Sequence, residues 1–307
     1  MANVDAQAER ELMAGLLERG HLLESGVPGV FGRGDAFERV VEGIDHAVTE
    51  LAAGDGAERW RFPPLVTRAN FERSDYMASF PQLAGSVHSF TGDERAHRAL
   101  LSTLQAGGDW AAGLPPTQVC LTPAACYPVY PVVARQPLPV GGRTIDVQSY
   151  CFRHEPSPDP ARMQMFRMHE QVRIGEPETV QAFRETWIGR ARRFYLEDLR
   201  LPGGADVAND PFFGRAGKML AQNQREQSLK LELLVPICST DRPTACASFN
   251  YHQDHFGHLF EIRTAGGSTA HTACVGFGLE RTALALFKHH GLDLPAWPAP
   301  VRARLAL

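Results

Sequence analysis

The stretch that decides the fold is residues 151–174, which read CFRHEPSPDPARMQMFRMHEQVRI. Arg153 and Glu155 are two positions apart, so on an extended strand their side chains lie on the same face. The proline-rich residues 156–160 cannot continue a central strand, and the chain must fold back there. On the returning strand three side chains share one face: Phe166, Met168 and Glu170. The pattern therefore predicts an antiparallel hairpin.

The predicted hairpin carries residue types that suit a nucleotide pocket. The guanidinium of Arg153 suits a phosphate, the ring of Phe166 can stack on a base, and the Glu155 carboxylate can accept from an exocyclic amine. The same residue types on strands are also common as solvated groups or structural ion pairs. The hairpin alone leaves both interpretations open.

Three stretches together resemble the signature motifs of class II aminoacyl-tRNA synthetases, and they occur in the same order. The spacing F-R-x-E, loop, R-x-x-x-F within residues 151–174 is similar to motif 2. Residues 276–281, GFGLER, lead into the helical run TALALFKHH and resemble motif 3. Residues 34–54, followed by ERWRFPPLV at 58–66, resemble motif 1, a long helix and a strand ending in proline, here Pro64. The resemblance implies an α+β fold in which helices flank an antiparallel sheet.

The size and charge of the chain limit the classes of protein to which it can belong. With 307 residues and 44% hydrophobic content, it can bury a core as one large domain. A net charge of −4 argues against broad capture of nucleic acid. We expect no membrane span and no signal peptide, because no apolar run is long enough for either. The six cysteines are scattered, as expected of reduced thiols in a cytoplasmic protein.

We expect an N-terminal segment at residues 1–34, with at most one short helix, and a catalytic domain at residues 35–307. The motif 1 helix should begin at Asp35, with Glu38 completing a capping box. One apolar stripe follows at helical spacing: Phe37, Val40, Val41, Ile44, Val48 and Leu51. In class II enzymes this helix and the next strand form the dimer interface, so the resemblance implies a homodimer. The stripe alone is equally typical of an ordinary amphipathic helix.

Patterns after the hairpin predict further elements. Residues 178–199 are typical of a helix, and residues 210–228 of a shorter helix that looks inserted relative to the synthetases. In residues 229–237, LKLELLVPI, apolar and polar side chains nearly alternate, which predicts a half-buried strand. Residues 249–262 predict more strand, with a turn at Gly257.

Two cysteines flank the hairpin in sequence. Cys126 and Cys274, together with Glu170, would offer three ligands and an open fourth position, as in a functional zinc site. The spacing is too long to be diagnostic by itself. A Cys/Glu/Cys zinc site occurs in the archaeal type of seryl-tRNA synthetase and in its shortened relatives, the amino acid:carrier protein ligases. The resemblance therefore implies one Zn²⁺ per chain, whose open position takes the amino group of the substrate.

The other potential metal ligands have simpler explanations. On a regular strand, the histidines of a rival cluster would not converge, and we expect them to hydrogen bond with backbone or solvent: His252, His255 and His258. The remaining cysteines are expected in the core or in the sheet: Cys120, Cys151, Cys238 and Cys246.

The chain resembles the amino acid:carrier protein ligases over roughly residues 35–290, including YMASFPQL, NDPFFGR and FNYHQDHFG. Only about 34 residues precede the motif 1 helix, so we expect the long tRNA-binding arm of a seryl-tRNA synthetase to be missing. The resemblance implies ATP, a small amino acid such as glycine or alanine, and a phosphopantetheinylated carrier protein as partners. Neither tRNA nor a membrane is expected.

A surface for the carrier protein should offer positive charge, because carrier proteins are generally acidic. Within the segment that looks inserted, we expect three residues to contact the carrier protein: Arg215, Lys218 and Arg225. These charges are equally typical of a solvated surface helix. Arg192 and Arg193 are the second choice for the contact with the carrier protein.

The resemblance also implies roles for single residues. Arg153 and Arg281 are the catalytic residues, with Arg153 at the α-phosphate and Arg281 on one face of the adenine or at the γ-phosphate. Glu155 would accept from the adenine amino group, and Phe166 would stack on the ring. The other implied ATP contacts are Arg162, Met163, Lys230, Ala245, Cys246, Ala247 and Ser248. The residues implied around the amino acid are Glu170, Glu232 and Asn250.

ATP would bring Mg²⁺, which takes most of its ligands from phosphate and water. The chain departs from the synthetases at Thr244, where they place a glutamate before a segment of small residues. The carboxylate that holds the metal is therefore open, with Glu232 and Glu261 as candidates.

The predicted reaction forms an aminoacyl adenylate and then an aminoacyl thioester on the carrier protein. The sequence leaves three alternatives. The chain could be a compact zinc-dependent aminoacyl-tRNA synthetase, a catalytically silent paralogue that binds partners, or a protein whose zinc only braces the fold.

Overall fold

The computed structural model describes residues 2–208 and 210–307, without the side chains of residues 2–6, 215, 216 and 223. The strands are β1 (Leu22–Glu24), β2 (Phe31–Arg33), β3 (Glu58–Arg61), β4 (Leu65–Thr67), β5 (Ser86–His88), β6 (Pro116–Leu121), β7 (Arg143–Phe152), β8 (Met165–Gly175), β9 (Gly204–Val207), β10 (Lys230–Val235), β11 (Thr244–Gln253) and β12 (His271–Gly278). The helices are α1 (Ala2–Glu18), α2 (Asp35–Leu51), α3 (Arg68–Arg73), α4 (Tyr76–Ser79), α5 (Glu94–Gln105), α6 (Val129–Val133), α7 (Pro177–Arg193), α8 (Gly214–Glu226), α9 (His255–Leu259), α10 (Leu279–His290) and α11 (Ala299–Arg304). Within these described ranges, no helix is both long and apolar enough to cross a membrane.

The main sheet has the strand order β3-β7-β8-β12-β11-β10-β9. Its neighbours are antiparallel except β3 and β7, which run parallel. Helices α2, α7 and α10 cover one face of this sheet, where Trp187 and Phe277 are fully buried. After β3, the chain forms a small three-stranded sheet with the strand order β4-β6-β5. The predicted layer arrangement, an antiparallel sheet with helices packed on it, is confirmed.

The predicted hairpin is formed by β7 and β8, with Cys151 opposite Phe166. The strand ends at Phe152, so the expectation that Arg153 and Glu155 are strand residues is wrong. Both follow directly after it, because the prolines of the connection prevent further pairing. The Arg153 amide still donates to the Gln164 carbonyl at 3.0 Å, which carries the antiparallel geometry one step further.

Helix α2 begins at Asp35, as predicted, but its start has no capping box. Gly34 is the N-cap residue, and no side chain caps the helix. The carboxylate of Glu38 instead binds the guanidinium of Arg167 at 2.6 and 2.8 Å. The apolar stripe is buried from Phe37 to Val48 and half-buried at Leu51, and it packs on α10, where Phe37 stacks on Phe287 with ring centroids 5.7 Å apart.

The residues before α2 contain more structure than expected. Helix α1 is 17 residues long, and β1 pairs with β2 in a hairpin. Leu12 and Leu16 from α1 and Leu22 from β1 are buried in the same core as α2 and α10. The expectation of at most one short helix in residues 1–34 is therefore wrong.

In the second half of the chain, the observed helices and strands agree with the predicted ones except after Gln253. Helix α7, extended by a π-helical turn at Phe194–Asp198, corresponds to the helix predicted at 178–199. Strand β11 ends at Gln253, which has φ 54, and α9 begins at His255, so the strand predicted to continue to residue 262 and the turn predicted at Gly257 are both wrong. Gly257 lies within α9, where a Cβ atom would approach the Ala270 carbonyl oxygen to 1.9 Å.

Candidate active site

The register of the main sheet places several predicted site residues in two neighbouring rows. Directly paired residues on antiparallel strands project from the same face. One row contains Glu170 of β8, Gly276 of β12, Ser248 of β11 and Glu232 of β10. The next row contains Val172, Cys274, Asn250 and Lys230. The sheet therefore gathers the residues predicted around the amino acid on one face.

Gly276 leaves open space in the first row. A Cβ atom at this position would lie 3.4 Å from the Ser248 hydroxyl and 3.5 Å from Glu170 Cγ. A side chain here would thus occupy the surface between the carboxylate and the hydroxyl. The glycine provides room for a small molecule over the sheet.

Cys126, Glu170 and Cys274 converge, and we call them the thiol–carboxylate triad. Their ligand atoms all lie within 4.8 Å of one another, and all three residues are buried. Glu170 Oε1 accepts a hydrogen bond from the Ala125 amide at 2.8 Å. Glu170 Oε2 is buried without a hydrogen-bond partner among the described residues. An unpaired buried carboxylate oxygen is costly, so this atom is suited to a cation.

The electrostatics of the triad favour a bound cation. A hydrogen bond with Cys274, followed by burial and by Glu170, raises the pKa of Cys126 well above its usual range. Burial is also the main cause that raises the pKa of Glu170. Three acidic groups this close resist ionising together unless a cation compensates them. Two thiolates and one carboxylate with room for a fourth ligand fit Zn²⁺.

One of the three histidines near the triad, His252, has hydrogen-bond partners that differ from those we expected. Among the described residues, the three histidines do not form a converging metal-ligand group, as predicted. However, the expectation of backbone or solvent partners is wrong for His252. Its Nδ1 lies 3.0 Å from Thr272 Oγ1, and its Nε2 lies 3.6 Å from Cys274 Sγ. Burial lowers the pKa of His252 to about 3, which leaves the imidazole neutral at neutral pH.

A cleft beside the triad is lined by Met163, Phe166, Gly278 and Arg281, and we call it the nucleotide cleft. The guanidinium carbon of Arg153 lies 5.5 Å from the centre of the Phe166 ring. Burial and then the charge of Arg153 lower the pKa of Arg281. Two neighbouring cations beside an aromatic ring suit a nucleotide polyphosphate.

Both of these guanidinium groups are oriented by backbone carbonyls. Arg153 Nε donates to the Pro123 carbonyl at 3.2 Å. Arg281 donates to the Ala161 carbonyl at 2.9 Å and to the Ala245 carbonyl at 3.1 Å. Carbonyl partners fix the side chains without neutralising them, so their charge is available to a ligand.

The other residues predicted to bind ATP are divided between the cleft and the sheet. Glu155 and Arg162 lie together on the hairpin connection, with Arg162 Nη1 3.3 Å from Glu155 Oε1. Cys246 and Ala247 are buried, and burial raises the pKa of Cys246 to about 12, so this segment can reach a ligand mainly through backbone. Ser248 lies in the row of Glu170, beside the triad.

Lys230 and the Mg²⁺ candidates have partners that the sequence did not indicate. The ammonium of Lys230, a predicted phosphate contact, lies between the carboxylates of Asp210 and Glu232, the latter at 3.0 Å. Asp210, which sequence reasoning missed, belongs to the segment before α8 and contributes to the electrostatic environment of Arg153. The side chain of Glu261 is 79% exposed and pairs with Arg73, so Glu232 is the better placed Mg²⁺ candidate.

A buried ion-pair cluster behind the nucleotide cleft was also missed. Glu280, with 1% of its side chain exposed, binds Arg167 at 2.8 Å and Arg33 at 3.3 Å. Arg167 also binds Glu38 of α2. No single-sequence pattern marks these residues, because they come from four separate elements.

Helix α8 presents a mixed surface. Lys218 and Arg225 are exposed, whereas the side chain of Arg215 lies outside the described residues. Met219 is 75% exposed and Leu220 48%, an apolar contribution that sequence reasoning overlooked because it searched only for charge. The segment leading into α8 is anchored beside the site, where Phe212 stacks on Phe80 with ring centroids 5.0 Å apart.

Comparison with solved structures defines the class of protein. Over 96% of this chain, the fold matches a chain from the crystal structure of A. aeolicus tRNASec in complex with M. kandleri SerRS, with a TM-score of 0.82 and 22% identity. The match covers 60% of that longer chain. The architecture is that of a class II aminoacyl-tRNA synthetase-like protein, as the sequence motifs predicted.

Two curated relatives from Bradyrhizobium diazoefficiens narrow this class. Amino acid–acyl-carrier-protein ligase 1 is 50% identical over 283 residues, which cover 92% of this chain and 86% of the relative. Amino acid–acyl-carrier-protein ligase 2 is 51% identical over 285 residues, covering 92% and 85%. No protein-family model matches the chain. The chain belongs to the amino acid–acyl-carrier-protein ligase family, in agreement with the predicted resemblance.

Proposed function

We propose that this protein activates a small amino acid, glycine or alanine, with ATP and transfers it to the phosphopantetheine thiol of a carrier protein. The observation that carries the proposal is that the thiol–carboxylate triad shares one face of the sheet with a cleft lined by Phe166 and Arg281, where Arg153 lies over the Phe166 ring. An amine-binding metal next to a polyphosphate site suits the activation of an amino acid. The names of the two relatives, both amino acid–acyl-carrier-protein ligases, support the choice of acceptor.

In the first step, the carboxylate oxygen of the amino acid attacks the α-phosphorus of ATP, and pyrophosphate leaves with the electron pair. Arg153 binds the α-phosphate, where negative charge develops in the transition state. Phe166 and Arg281 hold the adenine, and Glu155 accepts from its amino group. No protein nucleophile is required, because positioning and charge neutralisation carry this reaction. Mg²⁺ accompanies the phosphates, with Glu232 as its proposed protein ligand.

The thiol–carboxylate triad would hold Zn²⁺, with Glu170 Oε2 as the oxygen ligand. Bound zinc supplies an open coordination position for the neutral amino group of the substrate. This requirement selects amino acids over plain carboxylic acids. Asn250, Glu232 and the open surface over Gly276 surround the remaining space, where the side chain of the amino acid would lie.

In the second step, the phosphopantetheine thiol loses its proton to water and attacks the adenylate carbonyl. The carbon–sulfur bond forms, and AMP leaves with the electron pair of the broken carbon–oxygen bond. The carrier protein docks on α8, where exposed Met219 and Leu220 supply apolar contact. Lys218 and Arg225, with Arg215, attract the acidic partner.

The same proposal includes the cellular compartment, the oligomeric state and the domain boundaries of the enzyme. The six cysteines are buried free thiols, as suits a reducing cytoplasm. The protein is proposed to form a homodimer whose interface contains α2 and β3, because class II proteins use motif 1 for dimerisation. The catalytic domain is proposed to extend over residues 35–307, with α8 as an insertion.

The test is amino-acid-dependent exchange of pyrophosphate into ATP, measured for each proteinogenic amino acid with and without a zinc chelator. We expect exchange with glycine or alanine and loss of exchange after metal removal. A matched second assay offers the activated amino acid to a phosphopantetheinylated carrier protein or to pooled tRNA. Charging of tRNA alone would support a compact aminoacyl-tRNA synthetase instead, and absence of exchange would indicate a binding paralogue.

A further inference from the structure

His252 occupies an unusual place at the edge of the thiol–carboxylate triad. It lies at the irregularity between Tyr251 and Gln253, where the pairing of β11 with β12 shifts. The shift directs both of its ring nitrogens at β12. Nδ1 lies 3.0 Å from Thr272 Oγ1 and Nε2 lies 3.6 Å from Cys274 Sγ, side chains two positions apart on one strand.

The hydrogen-bonding capacity of these groups favours one arrangement. A neutral imidazole has one N–H and one acceptor nitrogen. The Thr272 hydroxyl is fully buried and can donate to Nδ1, which leaves the N–H on Nε2 directed at Cys274. The amide nitrogen of Asn250 lies 3.4 Å from the same sulfur. In this arrangement the Cys274 sulfur accepts from two N–H groups, those of His252 Nε2 and Asn250 Nδ2.

Aromatic neighbours hold the imidazole in this orientation. Phe256 meets the ring edge to face, with centroids 4.9 Å apart, and Tyr130 lies at 6.3 Å. Tyr130 and Phe256 are themselves stacked at 4.2 Å. The ring of His252 is therefore oriented by packing on one side and by Thr272 on the other.

We propose that His252 is a positioning residue that donates a hydrogen bond from Nε2 to the Cys274 thiolate and holds it in place for the metal. The inference rests on the proposed zinc site. Two thiolates and one carboxylate around Zn²⁺ leave one net negative charge in a buried site. An N–H donor to sulfur stabilises that charge and fixes the direction of the ligand.

The test compares His252→Gln with His252→Asn. The Gln amide can reach the position of Nε2, whereas the shorter Asn amide reaches only that of Nδ1. Zinc affinity is measured by competition with a chromophoric chelator, and the Co²⁺-substituted proteins are compared by their thiolate-to-metal absorption. We expect His252→Asn to bind zinc about 10–100-fold more weakly and to shift the absorption band, while His252→Gln stays within about threefold.

The control is His255→Asn, because His255 is exposed and also packs edge to face on Phe256 without contacting the triad. Equal zinc affinity and an unshifted cobalt band in His252→Asn would overturn the inference while leaving the zinc proposal intact. Equal losses in both His252 variants would also overturn it, since ring packing rather than the N–H would then matter. A wild-type protein that binds no zinc would reject the zinc proposal and this inference together.

Discussion

The guanidinium of Arg167 and the carboxylate of Glu280 form a buried pair that joins the hairpin to the helix after β12. Arg167 Nε lies 2.8 Å from Glu280 Oε1, and the Arg167 amide donates to Oε2 at 2.6 Å. Their sequence neighbours, Phe166 and Arg281, both line the nucleotide cleft. The pair therefore ties together the two elements that carry the residues proposed to hold the adenine.

Glu280→Gln tests this cluster. The substitution removes the charge that Arg167 and Arg33 share, and breaking one side of a buried pair typically costs about 3–5 kcal/mol. We expect urea unfolding to show a loss of about 3 kcal/mol, at the lower end because Glu38 still binds Arg167. Glu72→Gln, which breaks an exposed pair with Arg68, is the control and should change stability little. Equal stability of Glu280→Gln and the wild type would contradict the prediction.

Much of the fold could be predicted from the sequence because it depends on local patterns. The stripe from Phe37 to Val48 marked α2, and the prolines of 156–160 marked the hairpin connection. The hairpin β1–β2 was missed because its strands of three residues each are too short to show a periodicity. The length of α1 was underestimated because, among its described side chains at residues 7–18, few are buried.

The candidate site was predictable where a motif carried it. The convergence of Cys126, Glu170 and Cys274 was predicted through the family resemblance, since their spacing alone does not indicate it. Contacts that no motif records were missed, as for Asp210 with Lys230. Such pairs depend on how distant elements pack, and a single sequence contains no signal for that geometry.

Arg281→Ala tests the nucleotide cleft. The variant loses a guanidinium whose hydrogen bonds to the Ala161 and Ala245 carbonyls fix it beside Arg153. Removing one preorganised charge from a transition-state site costs about 10²–10³ in rate, so pyrophosphate exchange should fall by that factor. Arg263→Ala, at an exposed arginine bonded to Thr269, is the control. An exchange rate within twofold of the wild type would argue against a role in ATP binding.

Cys126→Ser tests the thiol–carboxylate triad. Serine is a poor zinc ligand, so we expect zinc content to fall from one ion per chain toward zero, together with amino-acid-dependent exchange. Cys120→Ser is the matched control, because Cys120 is buried in the small sheet away from the triad. Thermal unfolding separates the two meanings of metal loss. A chelator that unfolds the wild-type protein would indicate a structural zinc rather than a substrate-binding one.

Met219→Glu tests docking on α8. The change places a negative charge in the exposed apolar part of the proposed surface, where an acidic carrier protein would be repelled. We expect the KM for the carrier protein to rise about tenfold, equivalent to about 1.4 kcal/mol. The first half-reaction separates docking from misfolding, because exchange does not require the carrier protein. Val140→Glu, at another highly exposed apolar residue, is the control. An unchanged KM in Met219→Glu would place docking elsewhere.

The carboxyl of Asp146 supplies a pH-dependent contribution to stability. Burial disfavours its charged form, but hydrogen bonds from His169, Arg61 and Gln171 outweigh burial and lower its pKa well below the ordinary value of 3.8. The group therefore stabilises the fold above pH 3.8, and that stability is lost as the pH falls through the folded-state pKa.

Asp146→Asn should remove this contribution. We expect the variant to be less stable at pH 7, by about 1.4 kcal/mol for each unit by which the pKa is lowered. Its unfolding free energy should also fall less steeply than that of the wild type below about pH 4. Urea unfolding at several pH values measures both effects, and Asp241→Asn, in an exposed loop, is the control. If the unfolding free energies of the wild type and Asp146→Asn change in parallel with pH, the prediction is wrong. The ionised Asp146 carboxylate would then not contribute to stability through its contact with His169.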